Sequence, residues 1–590
     1  MRLACNTVFD DNMQGALPRL YTSSTGNVMS SRPIGPMPSL APSILLTALD
    51  AIPDYALGSE NRLRQAYIVR ACLEQRTHHP ELVALAVAMA TWSWQSRPLN
   101  IEAIQDLLTL ANAGIALPPA LMRILTALHR AISPPEDTQL WNQLRIVGDT
   151  ELIDRFWDTA LKAPRSGLYW LDHVFTALVA LPDHSRSRRL LVGAAWPAEL
   201  EPIRLRLLAE MAWHHGDTTR ASALLSQLPA GIWSPWTDMA LAAMARNLGE
   251  TTKASTLTQS LWQRMPWHVN MTLVTHDLVC TSPSADNTLI PAQPSEAAVL
   301  MYSYNNASLL KHSLDSLAAS NLGAAPLLVL NNGSGDDTKA VLNAAVENFD
   351  RNQLNIIHLP TNIGAPGARN WLLMHDIVKT VRYAVFLDDD VVVPADWLTL
   401  LLQQARRYPH AGAVGVKIRD AAPPHCMQSA DINLLSQHAL AALGDDSVFK
   451  ERILLFDNCA GSLDTGLFDY TRPCLSVSGC CHAIYREAIE AAGPFDIRFN
   501  PTQFDDLDRD LRSFLAGFPA VYAGSATIGH VQGSSLAKSK TTAAVANVRG
   551  NNIKLENAYD DVQITSLAKQ NSKLLADDIR AKVHALQEAI

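Results

Sequence analysis

Four apolar runs alternate with three helical patterns between residues 297 and 390, and this alternation restricts the fold more than any other feature of the chain. The apolar runs have the length and composition of buried strands and occupy residues 297–304, 326–332, 354–360 and 383–387. The helical patterns occupy residues 307–319, 337–346 and 367–378. Strict alternation of strands and helices predicts a parallel sheet with helices on its faces.

The other parts of the chain have different compositions, and 590 residues are too many for one hydrophobic core. Leu, Ala and Trp recur at helical spacing through the first half, whereas β-branched runs are almost absent there. We therefore predict a multidomain chain: an all-α half, then an α/β domain, then a short helical C-terminal extension. The predicted boundaries are an extended leader at 1–43, a helical domain at 44–275, a linker at 276–295, the α/β domain at 296–535 and the extension at 536–590.

Two segments of the helical half resemble each other. They read LAEMAWHHGDTTRASALLSQLP and LAAMARNLGETTKASTLTQSLW, and their glycines, Gly216 and Gly249, are 33 residues apart (249 − 216). Each glycine is followed five residues later by alanine, Ala221 or Ala254. This spacing resembles the tetratricopeptide repeat of 34 residues. An ordinary helical bundle explains the two copies equally well, so both interpretations stay open.

Charge and targeting signals exclude several classes of protein. The net charge of −9 argues against nucleic acid as a partner. The eight cysteines have no zinc-ligand spacing, which indicates reduced thiols. The first residues lack a basic and then apolar signal peptide, and no apolar stretch reaches the roughly 18 residues of a membrane span. We therefore expect a cytoplasmic protein without a transmembrane segment.

Three consecutive aspartates, Asp388, Asp389 and Asp390, follow the fourth predicted strand. Ligands of open parallel sheets bind beyond the carboxyl ends of the strands, where these side chains would emerge. Three ionised carboxylates are costly to crowd together without a cation, and oxygen ligands suit Mg²⁺ or Mn²⁺. A solvated acidic turn is the alternative interpretation, and the flanking motifs decide between the two.

Seven motifs occur in one order along this half of the chain. They are SYNN at 303–306, LNNGSGDDT at 330–338, NIGAPGARN at 362–370, the aspartates at 388–390, GCCHAIYREAIEAAGPFD at 479–496, FDDLDRDLR at 504–512 and GHVQGSS at 529–535. The ordered set resembles the GT-A nucleotide-sugar glycosyltransferases of family 2, an inverting family. The resemblance spans about residues 297–535, and it implies a Rossmann-like GT-A domain.

The resemblance also implies roles for individual residues. Asp506 would be the base that deprotonates the acceptor hydroxyl, and Asp505 is its close competitor. Asp388, Asp390 and His530 would hold Mn²⁺ or Mg²⁺, which stabilises the departing diphosphate. The residues implied in binding the nucleoside-diphosphate-sugar donor are Ser303, Tyr304, Asn305, Asn331, Gly333, Asn362, Gly364, Arg369, Asp388 and Asp389.

One residue departs from the family pattern, and the acceptor stays undefined. The family usually has aspartate where this chain has Asn331, so UDP, GDP and dTDP donors all stay open. A protein, polysaccharide or lipid-linked acceptor is compatible with the motifs, and the helical half would recruit it. The alternatives are an inactive scaffold whose helical half binds a protein, and a nucleotidyltransferase. The latter would need a Gly-rich, Lys-containing phosphate loop, which SYNNASLLK is not.

Overall fold

The computed structural model describes residues 37–281, 289–435, 452–456, 459, 461–531 and 542–590. The chain divides into two compact units, of which the first ends at Thr275 and the second begins at His276. Most of the predicted leader, 1–36, and the centre of the predicted linker, 282–288, lie outside the described residues.

The first unit is all-helical in the part of it that the structure describes, as predicted. Its helices are α1 (Ile44–Ala51), α2 (Arg62–Glu74), α3 (Leu82–Ser96), α4 (Ile101–Asn112), α5 (Pro119–Ala131), α6 (Gln139–Val147), α7 (Thr150–Ala160), α8 (Gly167–Val179), α9 (His184–Val192), α10 (Glu201–His214), α11 (Thr218–Leu225), α12 (Ala230–Trp233), α13 (Trp236–Asn247), α14 (Thr251–Arg264) and α15 (Val269–Val279), whose end enters the second unit.

The two similar segments form helical hairpins with the same turn, α10–α11 and α13–α14. Gly216 (φ +80°) and Gly249 (φ +72°) adopt the left-handed conformation that ends a helix, which glycine tolerates best. Ala221 and Ala254 are fully buried, one in the second helix of each hairpin. The shared turn supports a common hairpin design, and a tetratricopeptide array stays a prediction.

The second unit contains a large sheet and its covering helices. The strands are β1 (Ala297–Ser303), β2 (Leu327–Asn332), β3 (Leu354–Leu359), β4 (Tyr383–Leu387), β5 (Val391–Val392), β6 (Ala413–Asp420), β7 (Met427–Ser429), β8 (Asn433–Leu434), β9 (Leu455–Phe456), β10 (Thr471–Cys474), β11 (Cys481–Tyr485) and β12 (Ala520–His530). The helices are α16 (Ala307–Ala318), α17 (Thr338–Ala345), α18 (Ala365–Leu373), α19 (Asp376–Thr380), α20 (Trp397–Arg407), α21 (Arg486–Ala492), α22 (Asp505–Leu515), α23 (Thr542–Ala558) and α24 (Asp561–Ala589).

The prediction of a parallel arrangement is correct for the four strands from which it was made, and the sheet as a whole is mixed. The strand order is β3-β2-β1-β4-β11-β6-β12-β10, and β1 to β4 pair in parallel. Strand β11 lies antiparallel to both β4 and β6. The strand before β11 along the chain, β10, lies at the edge of the sheet, and pairing with β4 and β6 sets the direction of β11.

The predicted helix at 367–378 is two short helices, α18 and α19. His375 between them has extended backbone (ψ 140°), which ends the first helix, and its ring nitrogen caps the second. The core explains why the first strands read as continuous apolar runs. In β1, Val299 and Met301 face one hydrophobic cluster, whereas Ala298 and Leu300 face another, so both faces of the sheet are covered.

The C-terminal extension is helical, as predicted, and packs against α22. Leu555 of α23 and Leu567 of α24 share a hydrophobic cluster with Leu507 and Leu511 of α22. Asp560 begins α24 with a reciprocal capping box, which satisfies the first free backbone donors of the helix. Among the described residues, every helix is too short or too polar to cross a lipid bilayer.

Candidate active site

The carboxyl ends of β1 and β4 form the crevice around which the site is built. The two strands are parallel neighbours, and from β1 the chain turns to β2 on the opposite side. A reversal of strand order of this kind opens a crevice at the strand ends. Ser303 ends β1 and is buried, Asn331 lies near the end of β2, and the aspartates follow β4 directly.

The turn after β1 is joined to the loop after β2. Tyr304 is exposed, and Asn305 has a positive φ of +50°. The Asn305 backbone N–H donates to Ser334 Oγ at 3.0 Å, while Asn305 Oδ1 accepts from the Gly335 N–H at 2.8 Å. Asn305, one of the residues predicted to bind the sugar nucleotide, therefore joins the turn after β1 to the NNGSG loop.

Asn331 uses its side chain to shape that loop. Its Oδ1 accepts from the Ser334 N–H at 3.0 Å, and its Nδ2 lies 3.2 Å from His358 Nδ1. The next residue, Asn332, was missed by the sequence reasoning. Its Nδ2 donates to Asn362 Oδ1 at 2.9 Å, and its Oδ1 accepts from the Ile363 N–H at 3.0 Å. Asn332 thus ties the β2 loop to the NIG segment.

Two predicted glycines are required by close approach. Both have positive φ, +71° at Gly333 and +77° at Gly364. A Cβ at Gly333 would lie 2.3 Å from the Thr361 carbonyl carbon, and one at Gly364 would lie 2.1 Å from Asn500 Oδ1. A side chain at either position would therefore push these loops apart.

The three aspartates have different partners. The Asp388 N–H donates to the Cys480 carbonyl at 2.9 Å, which fixes the turn. Asp389 Oδ1 accepts from Asn306 Nδ2 at 3.0 Å. Asp390 is buried and faces His530, whose Nε2 lies 3.0 Å from Asp390 Oδ1. The sequence reasoning separated Asp389 from the metal ligands, and Asp389 indeed faces the β1 side of the crevice.

Burial and neighbouring carboxylates raise the pKa of Asp388 and of Asp389. Burial, with the neighbouring Asp390 charge, raises the pKa of Asp388 to about 6. Burial also raises the pKa of Asp389 to about 7, against the stabilising hydrogen bond from Asn306. Both shifts record the cost of crowding negative charge in a dry site, and a bound cation offsets that cost.

His530, at the end of β12, is held in one tautomer. Gln428 Nε2 donates to Asp420 Oδ1 at 2.7 Å, which orients the amide. Gln428 Oε1 lies 2.6 Å from His530 Nδ1, and because this oxygen can only accept, Nδ1 carries the proton. Burial lowers the pKa of His530, but its hydrogen bond to Asp390 and the nearby carboxylate charges outweigh burial and raise it. His530 Nε2 therefore faces the aspartates.

The predicted metal ligands are brought together with a cysteine. Asp388, Cys480 and His530 offer ligand atoms that all lie within 4.8 Å of one another. Asp390 contacts His530 from the side, so it borders this group. The donor set of carboxylate, thiol and imidazole suits a divalent first-row metal ion. Cys480 had no sequence signal, because its partners belong to β12 and to the turn after β4.

The paired aspartates at the start of α22 lie in different environments. Asp505 is buried, and its Oδ2 forms an ion pair with Arg369 Nη1 at 2.5 Å. Burial penalises the Arg369 charge, but the Asp505 carboxylate outweighs it and raises the pKa of Arg369. Arg369 also lies over the rings of Tyr302 and Phe495. Arg369, predicted to bind the sugar nucleotide, is therefore buried and paired with Asp505, the alternative candidate for the base.

Asp506 is half-buried and bound by backbone donors. Its Oδ2 accepts from the Gly479 N–H at 3.0 Å, and its Oδ1 accepts from the Leu507 N–H at 2.9 Å. Gly479 directly precedes Cys480, so the aspartate pair and the metal-ligand group are neighbours. Because Asp506 has no basic partner in these contacts, it is the better placed of the two carboxylates to take a proton.

Residues 298–436 match the model of the family described as Glycosyl transferase family 2. Residues 298–436 therefore form a family 2 glycosyltransferase domain, as the resemblance implied.

Several known proteins are similar to parts of this chain. The chain is 28% identical over 210 residues to the O-antigen biosynthesis protein RfbC of Myxococcus xanthus. That match covers 35% of this chain and spans 15% of RfbC. Among solved structures, the mannosyltransferase PcManGT from Pyrobaculum calidifontis with GDP-Man and Mn²⁺ has a TM-score of 0.32 at 15% identity, covering 60% of this chain and 87% of that one. GalNAc-T7 with UDP, GalNAc and Mn²⁺ has a TM-score of 0.34 at 13% identity, covering 50% and 57%.

Proposed function

We propose that this chain is a metal-dependent, inverting glycosyltransferase that moves a sugar from a nucleoside-diphosphate sugar to a hydroxyl group of a protein, polysaccharide or lipid-linked acceptor. The observation that carries the proposal is the meeting of two kinds of acidic group at one crevice. Asp388 and Asp390 lie beside His530, and Asp506 lies beside Gly479, one residue from Cys480. This transfer needs a metal ion to stabilise the leaving diphosphate and a nearby carboxylate to accept the acceptor proton.

Each side chain has a definite task in this proposal. Asp388 and His530 would hold Mn²⁺ or Mg²⁺ together with Asp390, and the ion would supply Lewis-acid stabilisation of the diphosphate. Asp506 takes the proton of the acceptor hydroxyl. Asp505 and Arg369, buried as a pair, position Asp506 by fixing the start of α22. The loops after β1 and β2 carry the remaining donor-binding residues.

The carboxylate pKa values support the metal. Burial, together with the neighbouring Asp390 charge, raises the pKa of both Asp388 and Asp389 towards neutrality. A divalent cation would return them to the ionised form, which is the form that ligates. The site is therefore expected to bind the sugar nucleotide weakly when a chelator is present and tightly when Mn²⁺ is present.

The test is a panel of nucleotide sugars screened by thermal shift of the full chain, with Mn²⁺ or with a chelator. The expected result is stabilisation by one sugar nucleotide that needs the metal; a donor at 100 times its dissociation constant adds about 2.7 kcal/mol. Anomeric NMR of the product then reads the stereochemistry. A single displacement with Asp506 as base inverts the anomeric carbon, so a retained configuration would contradict the proposal.

The helical unit is proposed to recruit the acceptor. Support comes from its two similar hairpins, because stacked helical hairpins build extended binding surfaces. The chain beginning at Ser295 is expected to keep donor binding and to lose transfer to its natural acceptor. Far-UV circular dichroism and a melting curve check that the shortened chain folds. Equal transfer by both chains would contradict this role.

A further inference from the structure

Cys480 lies where the turn after β4 meets the start of β11. It is buried, and its carbonyl accepts from the Asp388 N–H at 2.9 Å, so its backbone is tied to the first aspartate. Its Sγ lies within 4.8 Å of ligand atoms of both Asp388 and His530. The thiol is not in a disulfide. A buried thiol thus faces a carboxylate and an imidazole.

We propose that Cys480 is a ligand of the divalent cation and that this thiolate makes the site select a transition metal over Mg²⁺. The inference rests on the proposed function and adds to it a ligand and a metal class. Carboxylate and water ligands suit Mg²⁺, whereas thiolate and imidazole favour Zn²⁺, Co²⁺ and related ions. Bonds of about 2.0–2.3 Å in tetrahedral geometry place ligand atoms about 3.3–3.8 Å apart. The three ligand atoms, which lie within 4.8 Å of one another, would approach by at most about 1.5 Å on binding.

The arrangement around the group favours coordination. His530 Nδ1–H donates to Gln428 Oε1, so the ring proton that leaves to solvent on metal binding is the one on Nε2, and Nε2 then has a lone pair to give. On binding, the Cys480 S–H bond breaks, the proton leaves to solvent, and the sulfur lone pair forms the bond to the ion. No oxidant or reductant is involved. Asp390 contacts His530 and therefore lies next to the ion in this arrangement.

The test uses Cd²⁺, whose bond to a thiolate gives an ultraviolet charge-transfer band. The full chain is titrated with Cd²⁺ as wild type, Cys480→Ser and the matched control Cys481→Ala. Cys481 is the next residue along, is fully buried and lies in β11. The expected result is one equivalent of band in wild type and in the control, and its loss in Cys480→Ser. Exposed Cys280 contributes equally to all three chains and cancels in the differences.

Metal competition gives the second readout. The ratio of Co²⁺ to Mg²⁺ affinity, measured by calorimetry, is expected to fall at least about tenfold in Cys480→Ser and to stay unchanged in Cys481→Ala. An unchanged band and ratio in Cys480→Ser would overturn the inference while leaving the metal site of the proposed function intact. If Cd²⁺, Co²⁺ and Mn²⁺ all fail to bind wild type, both the inference and the metal part of the proposed function fail.

Discussion

Adding one methyl group at Gly479 is expected to stop sugar transfer while the fold stays intact. A Cβ at this position would lie 2.3 Å from Asp506 Oδ2, where ordinary contacts begin near 3.4 Å. The oxygen must therefore move by about 1 Å, and its hydrogen bond from the Gly479 N–H breaks. Rotation of the Asp506 carboxylate relieves the contact with the oxygen, and the contact with Asp506 Cβ at 3.0 Å needs a backbone shift of a few tenths of an ångström.

The magnitude follows from the geometry. A misplacement of about 1 Å at a reacting group costs roughly 100-fold in rate, which is about 2.7 kcal/mol of transition-state stabilisation. The lost backbone hydrogen bond costs about 1 kcal/mol of stability, so the melting temperature is expected to fall by only a few degrees. The measured quantities are kcat, the donor dissociation constant and the melting temperature of Gly479→Ala.

The control variant is Gly550→Ala, in α23 of the same unit. A Cβ there meets nothing within 4 Å, so its activity is expected to match wild type. The double variant with Asp506→Asn separates the explanations, because two changes that act through one carboxylate are not additive. A kcat for Gly479→Ala within threefold of wild type, or full additivity in the double variant, would refute the role given to Asp506.

Three further variants test the other groups. Asp505→Asn leaves Arg369 buried without its counter-charge and is expected to lower the free energy of unfolding by about 3 kcal/mol in urea melts, whereas Asp506→Asn keeps stability and donor affinity and loses transfer. Asp390→Ala is expected to abolish metal-dependent donor stabilisation while the metal-free melting temperature stays within a few degrees, and metal-dependent stabilisation equal to wild type would contradict its place beside the ion. Asn551→Ala removes a buried amide that donates to the carbonyls of residues 499, 502 and 503, just before α22. The variant is expected to lose more in kcat than in donor affinity. Asn551→Asp is expected to show no recovery of kcat, because a carboxylate cannot donate these hydrogen bonds.

The parts of the fold predicted from sequence are those with local signals. Strands β1 to β4 were found within one or two residues of their predicted ends because their apolar runs are continuous and bounded by polar turns. The aspartates at the end of β4 were placed correctly for the same reason. Strand β11 was not, because its direction is set by pairing with β4 and β6, which local patterns do not encode.

The site shows the same division. Ser303 and Asn331 lie at the ends of β1 and β2, and Asn305 lies in the turn after β1, where the motifs put them, since all three positions are set by predicted strands. Donor binding by Arg369 stays a prediction, whereas its buried ion pair with Asp505, 136 residues away in the chain, was not predicted. Long-range ion pairs of this kind leave no trace in spacing, whereas strand ends do.

Gly479 and Cys480 were given no role by sequence reasoning because their contacts depend on the antiparallel strand β11. Because β11 pairs with β4 in register Cys481 with Leu387, the turn that precedes it lies beside the aspartates that follow β4. That turn holds Gly479, which binds Asp506, and Cys480, which borders Asp388 and His530. Gly479 and Cys480 thus connect Asp506, the proposed base, to Asp388 and His530, the proposed metal ligands. A shift of the backbone at Gly479 and Cys480 would displace both groups together, so this turn is expected to couple donor binding to turnover.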